Sequence, residues 1–356
     1  MSTGRPRRGH LALAIAPRAA LAVLLFVACS SNAPSTPNDR TPAGSVAGSH
    51  GDGGGGSRSD PGGSPTPSPP RHLEIRPAGF TLPAAVQREV AVREGADVLV
   101  AGGLTSSGSS TGAAYRLTPG TGAVAPTGMF GTPFHDAAAA LLGGRLVVFG
   151  GGPSSGTDLV QALPGGVIGH LPTVSSDLEA ADAAAGVVVV GGYDGSSFLT
   201  SVLATRDGRT FRRIASLPVG LRYAAVAPAG PHAVIVAGGL STSGPVATIQ
   251  RIDTATGSVT TIGKLPRPLA HAAAVELGGS VFVLGGEDAS GQTVASVERV
   301  DPHTGAVRTV HPLPGTVADS AAVALGADRA LLIGGRRGPQ GADIPLDTIL
   351  SLRLVR

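Results

Sequence analysis

The sequence predicts an all-β protein, a six-bladed β-propeller of four-stranded blades, and three observations carry that prediction. An apolar run ending in a glycine pair occurs six times, with first glycines at Gly102, Gly150, Gly191, Gly238, Gly285 and Gly334, 41 to 49 residues apart. A steady interval of that size marks stacked or radial repeats. The composition, 54 glycines and 29 prolines in 356 residues with 42% hydrophobic residues, suits short strands joined by turns and disfavours helix. Each period also repeats one internal order, clearest at 265–310, "LPRPLAHAAAVELGGSVFVLGGEDASGQTVASVERVDPHTGAVRTV".

The chain begins with "MSTGRPRRGHLALAIAPRAALAVLLFVAC". Arg5, Arg7, Arg8 and Arg18 precede or enter an apolar run at 19–28, too short to span a bilayer and ending in small residues. This is the order of an export signal. Its end, "FVAC", resembles a bacterial lipobox with Phe26 where leucine is usual, and the resemblance implies that Cys29, the single cysteine, is lipidated. The segment also decides how the charge is read. Removing its four arginines from the formal net charge of +3 leaves −1 for the rest, so the body has no cationic footprint and no nucleic-acid partner is expected.

Residues 29–70 are rich in Ser, Gly and Pro and have little to bury. Such a segment does not offset its ordering entropy, and is expected to be a disordered tether reaching roughly 35 Å. The expected organisation is a signal peptide at 1–28, the tether at 29–70 and the propeller at 71–356.

Within one period a Leu-Pro pair opens the unit, as at Leu82-Pro83, Leu171-Pro172, Leu217-Pro218, Leu265-Pro266 and Leu313-Pro314. An alanine-rich strand, a glycine turn and the apolar run with its glycine pair follow. A polar loop, an alternating strand such as "SVERVD", a tight turn and a last strand complete it. The alanine strand belongs nearest the axis, where six strands crowd together. The apolar run does not alternate because neighbouring blades cover both of its faces. The glycine pair ends it where the backbone takes angles a Cβ forbids, or passes close to another backbone. After Gly335 the chain has room for one more strand, "DTILSLRLVR", while "RHLEIRPAG" ahead of the first repeat has one to spare. The N-terminal strand is therefore expected to complete the last blade.

These features resemble the kelch-repeat family of β-propellers over 71–356. In that family the glycine pair is followed by a tyrosine and, seven residues later, a tryptophan. Here Leu117, Ile252 and Val300 stand at the tyrosine position and Val124, Val259 and Val307 at the tryptophan position, with Phe211 near the equivalent place in another blade. The chain has no tryptophan at all, so aliphatic residues must fit blade to blade.

Antiparallel order puts the loops entering the innermost strands and those leaving the glycine pairs on one face, where propeller function usually sits. The entering loops carry Gln87, Arg88, His135, Asp136, Arg222, Tyr223, Arg267, His271 and Asp319; the leaving loops carry Tyr193, Asp194, Glu287, Asp288, Arg336 and Arg337. The candidate ligand-binding set is His135, Asp136, Asp194, Arg222, Tyr223, Arg267, His271, Glu287, Asp288, Arg336 and Arg337.

No metal or cofactor is expected. His135 and His271 read as equivalent positions facing each other across the axis, where shared coordination demands a very narrow channel. Asp194 and Asp288 lack the ligand spacing of a calcium loop. The stretch "TRDGRTF" is similar to a sialidase aspartate box, but a lone copy reads as a hairpin turn. The kelch-like copper radical oxidase needs a tyrosine joined to a cysteine, and Cys29 lies outside the propeller.

The expected function is a membrane-anchored, extracytoplasmic binding module for a protein, peptide or glycan, monomeric and held in the bacterial envelope through Cys29. The alternatives are a sugar epimerase or mutarotase drawing its acid and base from His135, Asp136, Arg222, Glu287 and Arg336, or an envelope scaffold without a defined ligand.

Overall fold

The computed structural model describes residues 72–339 and 341–355. All regular structure among them is β. Cys29 and the segments expected to be a signal peptide and a tether lie outside the described residues.

The first five blades run outward from the axis in chain order, and Ala273–Leu277, Ser280–Leu284, Val297–Val300 and Val307–Thr309 form the fifth. The sixth combines Ala321–Ala324, Arg329–Ile333 and Ile344–Val355 with His72–Gln87 as its outermost strand. Pairing of the last two runs antiparallel from His72 against Val355 to Val86 against Leu346, and Val86 and Gln87 then pair with Thr105 and Leu104 of the first blade.

The core is divided into six clusters, one in each gap between neighbouring blades, which explains the unbroken apolar runs. In the first blade Leu99 and Ala101 pack toward the second blade, while Val98 and Val100 pack toward the sixth. Successive side chains of a strand point to opposite faces, and here both faces are dry. The aliphatic stand-ins for the kelch aromatics lie in these gaps. Leu117, Ile252 and Val300 are fully buried, with Val124, Val259 and Val307 packed partly buried against the same clusters. Phe211 meets Phe149 edge to face at 6.1 Å.

The glycine pairs stitch blade to blade. In all six, the N–H of the second glycine donates to a carbonyl of the segment leading into the next blade: Gly103 to Phe134, Gly151 to Ser175, Gly192 to Leu221, Gly239 to Leu269, Gly286 to Val317 and Gly335 to Val86, at 2.8–3.0 Å. The first glycine must press against that same segment. At Gly285, with φ +62°, a Cβ would collide with the Val317 carbonyl oxygen. Left-handed backbone and close approach therefore both require glycine there.

Candidate functional site

The residue two places before each innermost strand is held at positive φ: Arg88, Asp136, Asp177, Tyr223, His271 and Asp319, between 52° and 60°. None is a glycine, and such backbone costs on the order of 1 kcal/mol or more per residue. A chain of five backbone hydrogen bonds links the six positions. The N–H of Asp177 donates to Asp136, Tyr223 to Asp177, His271 to Tyr223, Asp319 to His271 and Arg88 to Asp319, at 2.7–3.0 Å. One side chain from every blade is thereby set around the mouth of the axial channel.

These side chains form ion pairs with one another, while Arg88 Nε, Asp177 Oδ2 and Arg222 Nε are buried without a well-aligned hydrogen bond among the described residues. Arg88 bridges two blades, with Nη1 3.0 Å from Asp136 Oδ2 and Nε 3.7 Å from Asp319 Oδ2. Asp319 Oδ1 meets His271 Nδ1 at 2.6 Å, and Arg336 Nε donates to Asp319 Oδ2 at 2.6 Å. Arg336, only 1% exposed, also binds Glu287 and lies 3.1 Å from Asp343. Burial opposes ionisation of Asp319, but His271, Arg88 and Arg336 outweigh it and hold the carboxyl well below the usual range. The same balance raises Arg88 and Arg336, whose neighbouring carboxylates overcome desolvation.

On the other side of the mouth, Arg222 Nη2 lies 2.6 Å from Asp177 Oδ2 and donates to the Tyr223 hydroxyl at 2.8 Å. Its guanidinium sits among three rings, 4.7 Å from the centroid of Tyr193, 5.5 Å from Phe198 and 4.6 Å from Tyr223. Tyr223 in turn stacks on His271 with centroids 3.8 Å apart. Burial, then the charge of Asp136, pushes Asp177 up to about 7 despite Arg222. Burial likewise lowers His135, whose Nδ1 shares a 2.8 Å hydrogen bond with Ser110.

The ring itself encloses a space of about 50 Å³, and the channel next to it holds about 90 Å³ between alanine-rich walls. Ligand pockets usually span about 300–1,000 Å³, so this space takes a few waters and no sugar ring. Besides the ring aspartates, Glu89 and Glu179 line both spaces. Glu89 is buried, and Glu179, solvent-accessible on the innermost strand, lines the channel; enclosure by the surrounding blades raises both to about 8.

The structure thus brings His135, Asp136, Arg222, Tyr223, His271, Glu287 and Arg336 to one mouth, with Glu287 and Arg336 in its wall. Arg267, Asp288 and Arg337 stand farther out, Arg267 and Arg337 exposed. Asp194 and Asp288 close their own loops, each accepting backbone N–H groups two to four residues on. The reading of His135 and His271 as equivalent is corrected. His271 occupies the positive-φ position, whereas His135 precedes it by one residue, and Asp136 is the true counterpart.

Sequence reasoning missed Asp177, Glu89, Glu179 and Phe198. For Asp177 a signal existed, since it stands two residues before an alanine-rich strand like its five counterparts.

A family model for the Kelch motif matches residues 268–314, the fifth blade with its entry loop and glycine pair. The fifth blade thus carries a Kelch motif, within a propeller of six four-stranded blades. No curated protein matches it. In three blades buried or half-buried aliphatic residues stand at the aromatic positions, and the glycine pair is kept in all six.

Proposed function

We propose that this propeller is a binding module whose rim recognises a protein, peptide or glycan, and that it works outside the cytoplasm on a lipid tether at Cys29. The observation that carries the binding reading is the pairing of a cavity too small for a substrate with a set of charges engaged in ion pairs with one another around it. Acid–base catalysis needs groups within reach of a bound substrate. Here Glu287 and Arg336 bind each other in the wall, and neither lines the cavity. Recognition is therefore assigned to the surface around the mouth, where Tyr193, Phe198, Arg222, Arg267 and Arg337 stand. Kelch propellers typically mediate protein–protein interaction, which supports a protein partner.

A glycan-array and pull-down screen with the soluble chain tests the reading. Binding to the captured partner should weaken in Arg222→Ala and Arg337→Ala and stay unchanged in Arg251→Ala, on a third strand away from the mouth. Equal effects from all three refute it. The tether is tested separately: Cys29→Ser should remove acylation, read by mass, and release the protein from the membrane fraction.

A further inference from the structure

The gap between the fifth and sixth blades opens at its outer end into a groove of about 590 Å³, within the range that holds sizeable ligands. Its cause is local. The outermost strand of the fifth blade is only Val307–Thr309, so the facing end of His72–Gln87 is left partly uncovered. Leu73, Ile75 and Val310 form an apolar floor, and Arg299, Arg308 and His311 rise from one wall.

Two features give the groove its sign. Arg299 and Arg308 are direct cross-strand partners, and like charges placed opposite each other destabilise a sheet. Arg299 Nε is held by Ser280 Oγ at 3.0 Å and its guanidinium lies 5.9 Å from the Phe282 ring, which fixes one of the two cations in place. Glu74, the one acid in the lining, is already engaged by Arg76 at 3.2 Å. Two adjacent guanidinium forks without a carboxylate between them match the oxygens of a phosphate.

We propose that this groove binds the phosphate headgroup of an anionic membrane lipid and seats the propeller on the bilayer. The choice of a lipid over a soluble anion rests on the tethered reading and on where the chain outside the structure ends. That segment runs into His72, itself part of the lining, so a lipid anchor at Cys29 would deliver this side of the molecule to the surface. The apolar floor beside the cations suits a headgroup attached to acyl chains.

The experiment uses Cys29→Ser protein, which has no acyl chain, in co-sedimentation with vesicles of phosphatidylglycerol and phosphatidylcholine or of phosphatidylcholine alone. Binding is expected to the anionic vesicles only, lost as salt rises, and roughly 30-fold weaker when two surface cations are removed in Arg299→Ala/Arg308→Ala. Arg308→Gln, at an exposed position, removes one cation and places no carboxylate opposite Arg299, leaving the Arg299–Ser280 bond in place. Parent and variants binding equally, or the parent binding no vesicle, overturns the proposal. Suppression of vesicle binding by glycerol phosphate supports a headgroup site, whereas a melting shift with inorganic phosphate and no vesicle binding reassigns the groove to a soluble anion. Acylation of the unsubstituted chain is read independently by mass, so failure here and failure of the tether are distinct results.

Discussion

Replacing Glu89 with glutamine should stabilise the protein at neutral and alkaline pH and leave it unchanged in acid. Glu89 is buried beside the channel, with Oε1 3.3 Å from the Ala321 N–H and Oε2 without a hydrogen bond among the described residues. Burial raises its carboxyl from 4.5 to about 8. A group whose folded value lies above its unfolded value contributes stability that is present below the unfolded value and lost as pH rises through the folded one. For Glu89 the loss runs from about pH 4.5 to about pH 8. At pH 7 folding must take up a proton, which costs roughly 3 kcal/mol at 1.36 kcal/mol per tenfold. Glutamine keeps the acceptor and escapes that cost. At about 2 °C per kcal/mol for a domain of this size, Tm of Glu89→Gln should exceed that of the parent by about 6 °C at pH 7. Below pH 4.5 the two should coincide. Glu179 titrates in the same direction in both proteins and cancels from the difference. A variant less stable than the parent at pH 8, or a gap that does not change with pH, refutes the buried, protonated assignment.

Four further variants probe the frame. Deleting 71–79 removes half of the outermost strand of the sixth blade and bares an apolar edge; a large drop in Tm and aggregation by light scattering are expected, and unchanged melting shows that the ring does not depend on this strand. Gly285→Ala forces a Cβ into the Val317 carbonyl at positive φ and should cost about 2–5 kcal/mol in urea unfolding. Arg336→Ala leaves Asp319 and Glu287 buried without their partner and should cost about 3–5 kcal/mol, while Arg337→Ala, exposed, stays within about 0.5 kcal/mol.

The blades were legible because their cause is local and repeated. Glycine pairs, alanine strands and apolar runs each answer a steric or burial demand that recurs every period, so Gly102 and Gly334 announce themselves equally. The site was only half legible. Loop position identified Asp136, Arg222, Tyr223 and His271, but pattern says nothing of which polar residue meets which. Arg336 and its neighbour Arg337 look alike in sequence, yet one is sealed among three carboxylates and the other faces solvent. Asp177 opens the shortest period, 41 residues between Gly150 and Gly191. Glu89 and Glu179 face a channel that exists only once six blades have closed around it.

The central claim, a binding surface around the mouth, is tested most directly by hydrogen exchange of the chain alone and with its captured partner. The account predicts slowed exchange in the loops at 193–198, 222–223, 267–271 and 336–338, with the outermost strands unchanged. Protection confined to the outermost strands or to the opposite face would contradict it.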